Sequence, residues 1–311
     1  MNPYIRALAS RGYWRQLASI KFAKGVVAAL LASFGALWLA VQVGSFFSDR
    51  AAQFLKAQWI PFFVIGIAWA LWNNRPRHRI SCRMHGRDVA ICIRVGDMFD
   101  MTGVFVIPSN TSFDTDLNSG LISDKSVQGQ FTKRFYDSVA HLDTDLTNAL
   151  SSLTPERVDS TKQGKSQIYP VGTAVRVSTR GRTAFLVAIG MLNQYGVARA
   201  TFDDVQNSLP RLWESIATQG TFEPILIPVI GSGFSRLTQT REEIIREIIQ
   251  SFIAASASQR PTESLTIVMR PKDFYENEVD LTELTRYLQH VCQYTEYRVA
   301  AATGTGNPVP P

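Results

Sequence analysis

A glycine-rich loop between a predicted strand and a predicted helix is the segment of this chain best suited to bind a ligand. The apolar run Pro224–Ile230 leads into the loop, and a helix predicted to begin at Arg241 follows it. Glycine permits positive φ and close backbone approach, so successive N–H groups can point at an anion near a helix N-terminus. Phosphate is the expected anion, and a tight turn without ligand is the alternative. The loop consists of Gly231, Ser232, Gly233, Phe234, Ser235 and Arg236.

Two polar side chains follow other predicted strands and could contact the same ligand. Asp97 comes after the strand Val89–Val95, and its carboxylate could accept a hydrogen bond from a ligand or be a solvated turn acid. Asn110 comes after the strand Gly103–Pro108, where it could bind a ligand or cap a turn. Asp97, Asn110 and the glycine loop form the candidate ligand-binding set, and Arg236 could also be an ordinary surface arginine.

Strands and helices alternate from Ile80 onwards, which predicts an α/β domain. Several strands are almost wholly apolar, as expected for strands covered on both faces. Besides the three above, strands are predicted at Tyr169–Val177, Ala184–Leu192 and Ser264–Met269, and helices at Phe202–Thr218, Arg241–Ala255 and Leu281–Tyr294. Thr240 and Glu243 form a capping box at the start of the second of these helices.

A further stripe of apolar residues predicts one long amphipathic helix between residues 127 and 150. Its members recur at spacings of three and four: Val127, Phe131, Phe135, Val139, Leu142, Leu146 and Leu150. The polar stretch from Thr154 to Gln167 is predicted to be a loop.

Two apolar runs near the N-terminus predict a transmembrane hairpin. Residues 25–47 carry no charge and would span about 34 Å as a helix, enough to cross a bilayer. The second span is predicted over residues 55–72, with Pro61 in its first turn and Trp59 and Trp72 at the interfaces. A cleaved signal peptide is the rival interpretation of the first run, but its apolar core would be shorter.

Basic residues flank the two runs and orient them. Residues 1–87 contain twelve of the 32 Lys and Arg residues but only one of the 26 acidic residues, Asp49. Because few of these cations lie between the runs, both termini are expected to face the cytoplasm. Residues 88–311 contain 20 basic and 25 acidic residues, a net charge of −5. The positive charge of the whole chain, +6, therefore lies in the membrane flanks. Because the soluble part is acidic, it is not expected to bind nucleic acid.

A row of small residues marks one face of the first run: Ala28, Ala32, Ala36, Ala40 and Gly44. Such rows let helix backbones approach closely. The favoured interpretation is packing against the second helix around Gly66 and Ala70, and the alternative is self-association between subunits.

The three cysteines show no paired spacing and the four histidines are scattered, so neither a metal site nor a disulfide framework is predicted.

In this order and setting, four stretches of the chain resemble the macro domain, a family that binds ADP-ribose and related nucleotides. They are Gly96-Asp97, Val106-Ile107-Pro108-Ser109-Asn110, Tyr169-Pro170-Val171-Gly172-Thr173-Ala174 and Pro228-Val229-Ile230-Gly231-Ser232-Gly233. The resemblance covers residues 88 to 270 and implies a three-layer αβα fold.

The same resemblance implies roles for the candidate residues. Asp97 would accept a hydrogen bond from the adenine amino group, and Asn110 would bind the distal ribose. Gly231, Ser232 and Gly233 would hold the phosphates, Phe234 would lie against the distal ribose, and Ser235 and Arg236 would add donors.

The departures from the macro pattern disfavour catalysis. Ile107 replaces the first asparagine of the strand-end motif, and the glycine triplet beyond it is reduced to Asn118-Ser119-Gly120. Both features help to place a hydrolytic water. Asp114 and Asp116 could substitute as bases, but solvated loop acids are commoner. Binding without catalysis is therefore predicted, with no catalytic residue and no cofactor.

A membrane hairpin joined to a divergent macro domain resembles one form of the effectors of Thoeris anti-phage defence. The resemblance implies a homo-oligomeric protein of the bacterial inner membrane that disrupts the bilayer. Its activating ligand would be an ADP-ribose-derived nucleotide made by a TIR-domain partner enzyme. A membrane-tethered ADP-ribosyl hydrolase and a scaffold domain without a nucleotide are the alternatives.

The predicted organisation has five parts: a basic cytoplasmic segment at 1–24, helices at 25–47 and 55–72, a macro-like domain at 80–297, and a disordered tail at 298–311.

Overall fold

The computed structural model describes residues 20–47, 53, 59–73, 78–192, 198–220, 222–231, 237–276 and 279–294. The chain divides into two compact units. The first comprises residues 1–78 and 270–279, and the second comprises residues 79–269 and 280–311.

Two apolar helices make up most of the described residues of the first unit. Helix α1 spans Ile20–Phe47, and its segment Lys24–Phe46 has a mean hydropathy of 2.1, long and apolar enough to cross a membrane. Helix α2 spans Trp59–Asn73, 15 residues, and at about 22 Å it is shorter than a bilayer core. Residues 54–58, which were predicted to lengthen it, lie outside the described residues, so the second span stays a prediction.

The two helices pack through a different face of α1 from the one predicted. Ala28, Ala32, Ala36 and Ala40 are exposed, whereas Gly66 and Ala70 on α2 are buried as expected. The predicted packing of these four alanines against α2 is therefore wrong. The helices meet instead at Ser33, whose hydroxyl oxygen lies 3.1 Å from the position of a β-carbon on Gly66, because glycine leaves room for that side chain.

A short helix, Pro271–Glu276, belongs to the same unit. Within this unit, the Nε2 atom of His78 lies 2.5 Å from the hydroxyl oxygen of Tyr275.

An eight-stranded mixed sheet forms the centre of the second unit. Its main order is β1-β2-β10-β9-β3-β7-β6, and β8 pairs with β7. The strands β2, β10, β9, β3 and β7 are parallel, and β1, β6 and β8 are antiparallel to their neighbours. The strands in this sheet are β1 (Arg79–Arg83), β2 (Ala90–Val95), β3 (Val104–Asn110), β6 (Ala174–Thr179), β7 (Arg182–Leu192), β8 (Ala198–Arg199), β9 (Ile225–Pro228) and β10 (Ser264–Met269).

Alternating side chains of the strands bury apolar surface on both faces, as expected for a sheet between helices. One face packs against two helices between β3 and β6, α3 (Val127–Phe135) and α4 (Val139–Leu150). Strand residues whose side chains point to the other face of the sheet, such as Phe185 and Ile227, are also fully buried. The remaining helices of this unit are α5 (Phe202–Gln219), α6 (Arg241–Ser258) and α8 (Leu281–Tyr294). The short helix Pro271–Glu276 of the first unit is α7.

The predicted long helix is two helices. The apolar stripe from 127 to 150 is buried or partly buried as expected, but Tyr136 has extended backbone angles of −113° and 143° and ends α3. Ser138 then caps α4 by accepting a hydrogen bond from the backbone N–H of His141. Because a second helix begins after the capping residue Ser138, the prediction of one uninterrupted helix is wrong.

Other element boundaries follow the predictions closely. Both Ser264–Met269 and Leu281–Tyr294 have the predicted bounds, and the Thr240 capping box is confirmed. The strand predicted from Tyr169 begins only at Ala174, because a turn with Gly172 at a φ of 88° precedes it. The predicted loop from Thr154 to Gln167 contains a small hairpin of β4 (Arg157–Val158) and β5 (Gln167–Ile168).

Candidate functional site

The parallel strands bring the three described candidate residues to one edge of the sheet. Asp97 follows β2, Asn110 ends β3, and Gly231 follows β9. All three strands run in the same direction, so these residues lie at the carboxyl edge. Ligands of open α/β sheets bind in the crevice outside this edge.

Asn110 shapes the loop after β3 and leaves one donor over. Its side-chain oxygen accepts hydrogen bonds from the backbone N–H groups of Ser112, at 3.0 Å, and Asp114, at 3.1 Å. These bonds direct the side-chain oxygen toward the two N–H groups, so the Nδ2 atom on the opposite side of the amide points away from them. That Nδ2 atom is buried and has no hydrogen-bond partner among the described residues.

The hydroxyl group of Ser112 is in the same situation two residues later. Its oxygen is buried and lacks a partner within the described part of the chain. Buried polar atoms are almost always paired in folded proteins. The donors on Asn110 and Ser112, which have no partner among the described residues, are therefore two places where a ligand oxygen or an ordered water could bind. Ser112 was missed from the sequence because a serine in a turn is unremarkable.

Gly231 adopts a conformation that favours glycine. Its φ is 72°, and a β-carbon there would lie 2.1 Å from Cδ1 of Leu237. The close approach favours glycine, because a larger residue would force the Leu237 side chain to move.

The rest of the predicted phosphate loop lies outside the described residues. The proposed contacts of its members therefore stay predictions: Ser232, Gly233, Phe234, Ser235 and Arg236.

Arg241 is a cation that the sequence analysis did not include. It is the first residue of α6, directly after the capping residue Thr240, and its Nη1 atom lies 3.5 Å from the carbonyl oxygen of Gly231. A guanidinium group so close to a glycine loop is suited to bind a phosphate. Its position at the start of the helix after the loop was the available signal.

Asp97 is paired rather than solvated. Its Oδ1 atom accepts a hydrogen bond from the N–H of Phe99 at 3.1 Å and caps the short 3₁₀ helix Met98–Asp100. Its Oδ2 atom accepts one from Nη2 of Arg134 at 2.8 Å, and the side chain is 15% exposed. The alternative of a solvated turn acid is wrong, and Arg134 was also missed by the sequence analysis.

Both carboxylate oxygens of Asp114 have partners that hold the structure together, so this residue does not resemble a catalytic base. Its carboxylate pairs with the ammonium group of Lys162 at 3.1 Å, and the side chain is 2% exposed. It also accepts a hydrogen bond from the backbone N–H of Lys165 at 2.6 Å. Because its oxygens hold the 159–166 loop, they are not poised to activate a water.

Asp116 is equally unsuited to proton abstraction. Hydrogen bonds from Ser119 and from the N–H of Asn118 lower the pKa of this exposed carboxyl group. A weaker base accepts a proton less readily at neutral pH. The turn that replaces the glycine triplet, Asn118-Ser119-Gly120, is exposed as well.

The strand order, the helices on the sheet and the polar carboxyl edge are those of an α/β domain of the macro class. Residues 91–270 match the family model described as Thoeris protein ThsA, Macro domain. The chain belongs to this family.

Individual relatives are distant. Thoeris protein ThsA of Bacillus amyloliquefaciens (strain Y2) is 23% identical over 204 residues, which cover 63% of this chain and 67% of that protein. The Oceanobacillus iheyensis macrodomain with ADP is 16% identical, covering 68% of this chain and 100% of that one, with a TM-score of 0.44. The same macrodomain with MES bound is 16% identical over 67% of this chain and 99% of that one, with a TM-score of 0.44.

Proposed function

We propose that this chain is a non-enzymatic sensor and membrane effector of anti-phage defence. Its macro domain binds an ADP-ribose-derived signal nucleotide made by a TIR-domain partner enzyme. The support is membership of the ThsA macro family together with one structural observation, the buried and unpaired Nδ2 atom of Asn110 at the carboxyl edge. A ribose hydroxyl oxygen is an acceptor of the right kind for that donor.

The diphosphate of the ligand would lie along the glycine loop. Gly231 has a positive φ, as residues in anion-binding backbone turns do, and Arg241 adds a positive charge beside it. Asp97 at the end of β2 would accept a hydrogen bond from the adenine amino group. The three contacts together would span an extended ADP-ribose-like nucleotide.

The membrane part of the proposal depends on α1. Its length and hydropathy suit a span, and its exposed alanine row is available to a second subunit. Ligand binding would favour an assembled state in which the spans of several subunits disrupt the bacterial inner membrane. A ligand shifts such an equilibrium only by its preference for one state.

Calorimetry on the full chain in detergent micelles tests the binding step. ADP-ribose should release or absorb heat in a saturable titration, and it should raise the melting temperature of the protein, since a ligand that binds only the folded state stabilises it. A folded protein that shows neither effect with ADP-ribose or its derivatives would refute the proposal.

A membrane-tethered ADP-ribosyl hydrolase remains the second candidate function, although Asp114 and Asp116 do not support it. Incubation of the chain with an ADP-ribosylated protein decides between them. We expect no release of ADP-ribose, and release that disappears on changing Asn110 would establish the enzyme instead.

A further inference from the structure

Two arginines lie opposite each other at one edge of the sheet. Strand β1 is at the end of the strand order and pairs with β2 in antiparallel fashion. Arg79 and Arg94 are direct partners in this pair, so their side chains leave the same face with β-carbons about 5 Å apart. Both residues are exposed, and neither has a hydrogen bond or an ion pair with a residue that the structure describes. Like charges in this position destabilise a sheet unless an anion lies beside them.

The surface around the two arginines is polar and open to solvent in the described part of the second unit. Ser81 and Arg83 lie on the same face of β1 and are exposed. The Nη1 atom of Arg83 lies 3.3 Å from Oδ1 of Asp88, and both side chains are more than two-thirds exposed, so this ion pair is weak. We call Arg79, Ser81, Arg83 and Arg94 the basic face.

The helical layer on this side of the sheet ends before it reaches the basic face. On β10, Val268 is the register partner of Arg94 and belongs to the core that packs against α3 and α4. Val268 is 4% exposed, whereas Arg94, one strand further out, is exposed. The basic face is therefore a surface of this domain rather than part of its core.

The basic face follows closely after the second apolar helix in the chain. Arg79 comes six residues after Asn73, the last residue of α2, and six residues span at most about 21 Å. Residues 88–311 carry a net charge of −5, so an anionic bilayer repels most of the surface of this domain. The arginines of the basic face are attracted to the same bilayer. The short connection and the local charge therefore favour the same surface as the one that meets the lipid.

We propose that the basic face binds the phosphates of anionic lipid headgroups in the cytoplasmic leaflet. A guanidinium group donates two parallel N–H bonds to phosphate oxygens, and a phosphate between Arg79 and Arg94 offsets their mutual repulsion. The inference rests on the membrane part of the proposed function and does not involve the nucleotide site. It adds Arg94, which lies beyond the basic flank of the sequence, to the residues that meet the membrane.

Native mass spectrometry of the full chain in detergent micelles tests the proposal. The probes are phosphatidylglycerol and phosphatidylcholine with the same acyl chains, and the unaltered chain should bind phosphatidylglycerol more tightly. In the double variant Arg79→Gln with Arg94→Gln, the dissociation constant for phosphatidylglycerol should rise roughly 10- to 30-fold, because each cation near an anionic headgroup contributes about fivefold. The dissociation constant for phosphatidylcholine should not change.

The double variant Arg182→Gln with Arg199→Gln is the matched control. These arginines lie on β7 and β8, towards the other side of the sheet, and their loss changes the net charge equally. Their replacement should leave both dissociation constants unchanged. If the first double variant does not fold, Arg94→Gln alone should raise the constant for phosphatidylglycerol about fivefold.

Thermal unfolding without added lipid separates lipid binding from a structural role. Removing one of two opposed charges should not lower the melting temperature of Arg94→Gln, because like charges opposite each other are destabilising. A lower melting temperature with an unchanged lipid preference would assign the arginines to the fold and overturn the proposal.

The other outcomes are equally distinct. The proposal is wrong if the unaltered chain binds both lipids equally, or if the Arg79 and Arg94 double variant keeps the full preference, and nucleotide binding stands in either case. An equal loss in the control would indicate a general effect of charge and would also refute it. If the chain stays soluble without detergent and does not insert into vesicles, the membrane part of the proposed function fails as well.

Discussion

Lys162 and Asp114 form an ion pair that is almost completely buried. The Nζ atom of Lys162 lies 3.1 Å from Oδ2 of Asp114, and the two side chains are 5% and 2% exposed. The backbone at Gly164 also lies close to Asp114: a β-carbon on Gly164 would be 2.2 Å from Oδ1 of Asp114. Glycine therefore allows the loop to approach the carboxylate this closely. The pair ties the loop of the β4–β5 hairpin to the loop that follows β3, in which the backbone N–H of Asp114 donates to the side-chain oxygen of Asn110.

The variant Asp114→Asn should destabilise the second unit. It leaves the buried ammonium group of Lys162 without its counter-charge, a change that costs about 3–5 kcal/mol. Thermal unfolding should show a melting temperature lower by roughly 6–20 °C. Asp88→Asn breaks the exposed pair with Arg83, whose side chains are 72% and 75% exposed, and should change little.

A double variant sharpens this prediction. Because Asp114→Asn with Lys162→Met removes both charges, it should recover part of the lost stability. A double variant no more stable than Asp114→Asn alone would contradict the assignment of the loss to an unpaired charge.

The variant Asn110→Asp should weaken ADP-ribose binding while preserving the loop. Aspartate keeps an oxygen for the N–H groups of Ser112 and Asp114 but replaces the unpaired donor by an acceptor. The dissociation constant should rise roughly 10- to 100-fold. The control is Asn148→Asp, the same exchange at an exposed position of α4, which should leave the dissociation constant unchanged. Unchanged affinity in Asn110→Asp would show that the amide does not face the ligand.

The variant Gly231→Glu should abolish nucleotide binding. It places bulk and negative charge where the phosphates are expected, at a φ of 72°. Gly181→Glu is the control, because Gly181 has a φ of 71° in the turn between β6 and β7 and open space around it. Both variants carry a similar backbone penalty, but a side chain at Gly231 also meets Leu237, so Gly231→Ala is measured beside Gly231→Glu. A loss of binding much larger in Gly231→Glu than in Gly231→Ala or Gly181→Glu points to charge and bulk where the phosphates lie. Normal calorimetric affinity in Gly231→Glu would remove the loop from the site.

The variant Ala36→Leu should reduce self-association of the full chain in membranes. Ala36 is exposed in the middle of the small-residue row, where a larger side chain keeps helices apart. Gly35→Leu adds bulk at a neighbouring position, about 100° around the helix, that has nothing within 4 Å. Chemical cross-linking in vesicles with added ADP-ribose compares the two variants. Equal cross-linking in both would indicate that subunits assemble through other surfaces.

Cys292 should resist alkylation at pH 8. Burial, with a smaller effect of the neighbouring Cys82 thiol, raises the pKa of Cys292 to about 12. The thiolate fraction at pH 8 is then on the order of 10⁻⁴, and the thiolate is the reactive form. Mass spectrometry after iodoacetamide treatment should find Cys292 unmodified in the folded protein and modified in urea. Rapid modification without denaturant would contradict this burial.

Local sequence patterns determined most of the elements. The strand Ser264–Met269 and the helix Leu281–Tyr294 have the predicted bounds because apolar periodicity reflects which faces of a segment are buried. The Thr240 capping box was also predictable, since its partners lie three residues apart. Gly231 could be singled out in the same way, because the need for positive φ is a property of a single residue.

Tertiary structure alone decided which distant side chains meet. Nothing in the sequence around Asp97 or Asp114 indicates Arg134 or Lys162, because these pairs form only once the strand order and α3 bring separate segments together. The packing face of α1 was likewise decided by its partner, since Gly66 accommodates Ser33 and leaves the alanine row outside. Periodicity identifies a buried face, but the choice of partner depends on the shape and charge of the neighbouring segment, which local sequence does not contain.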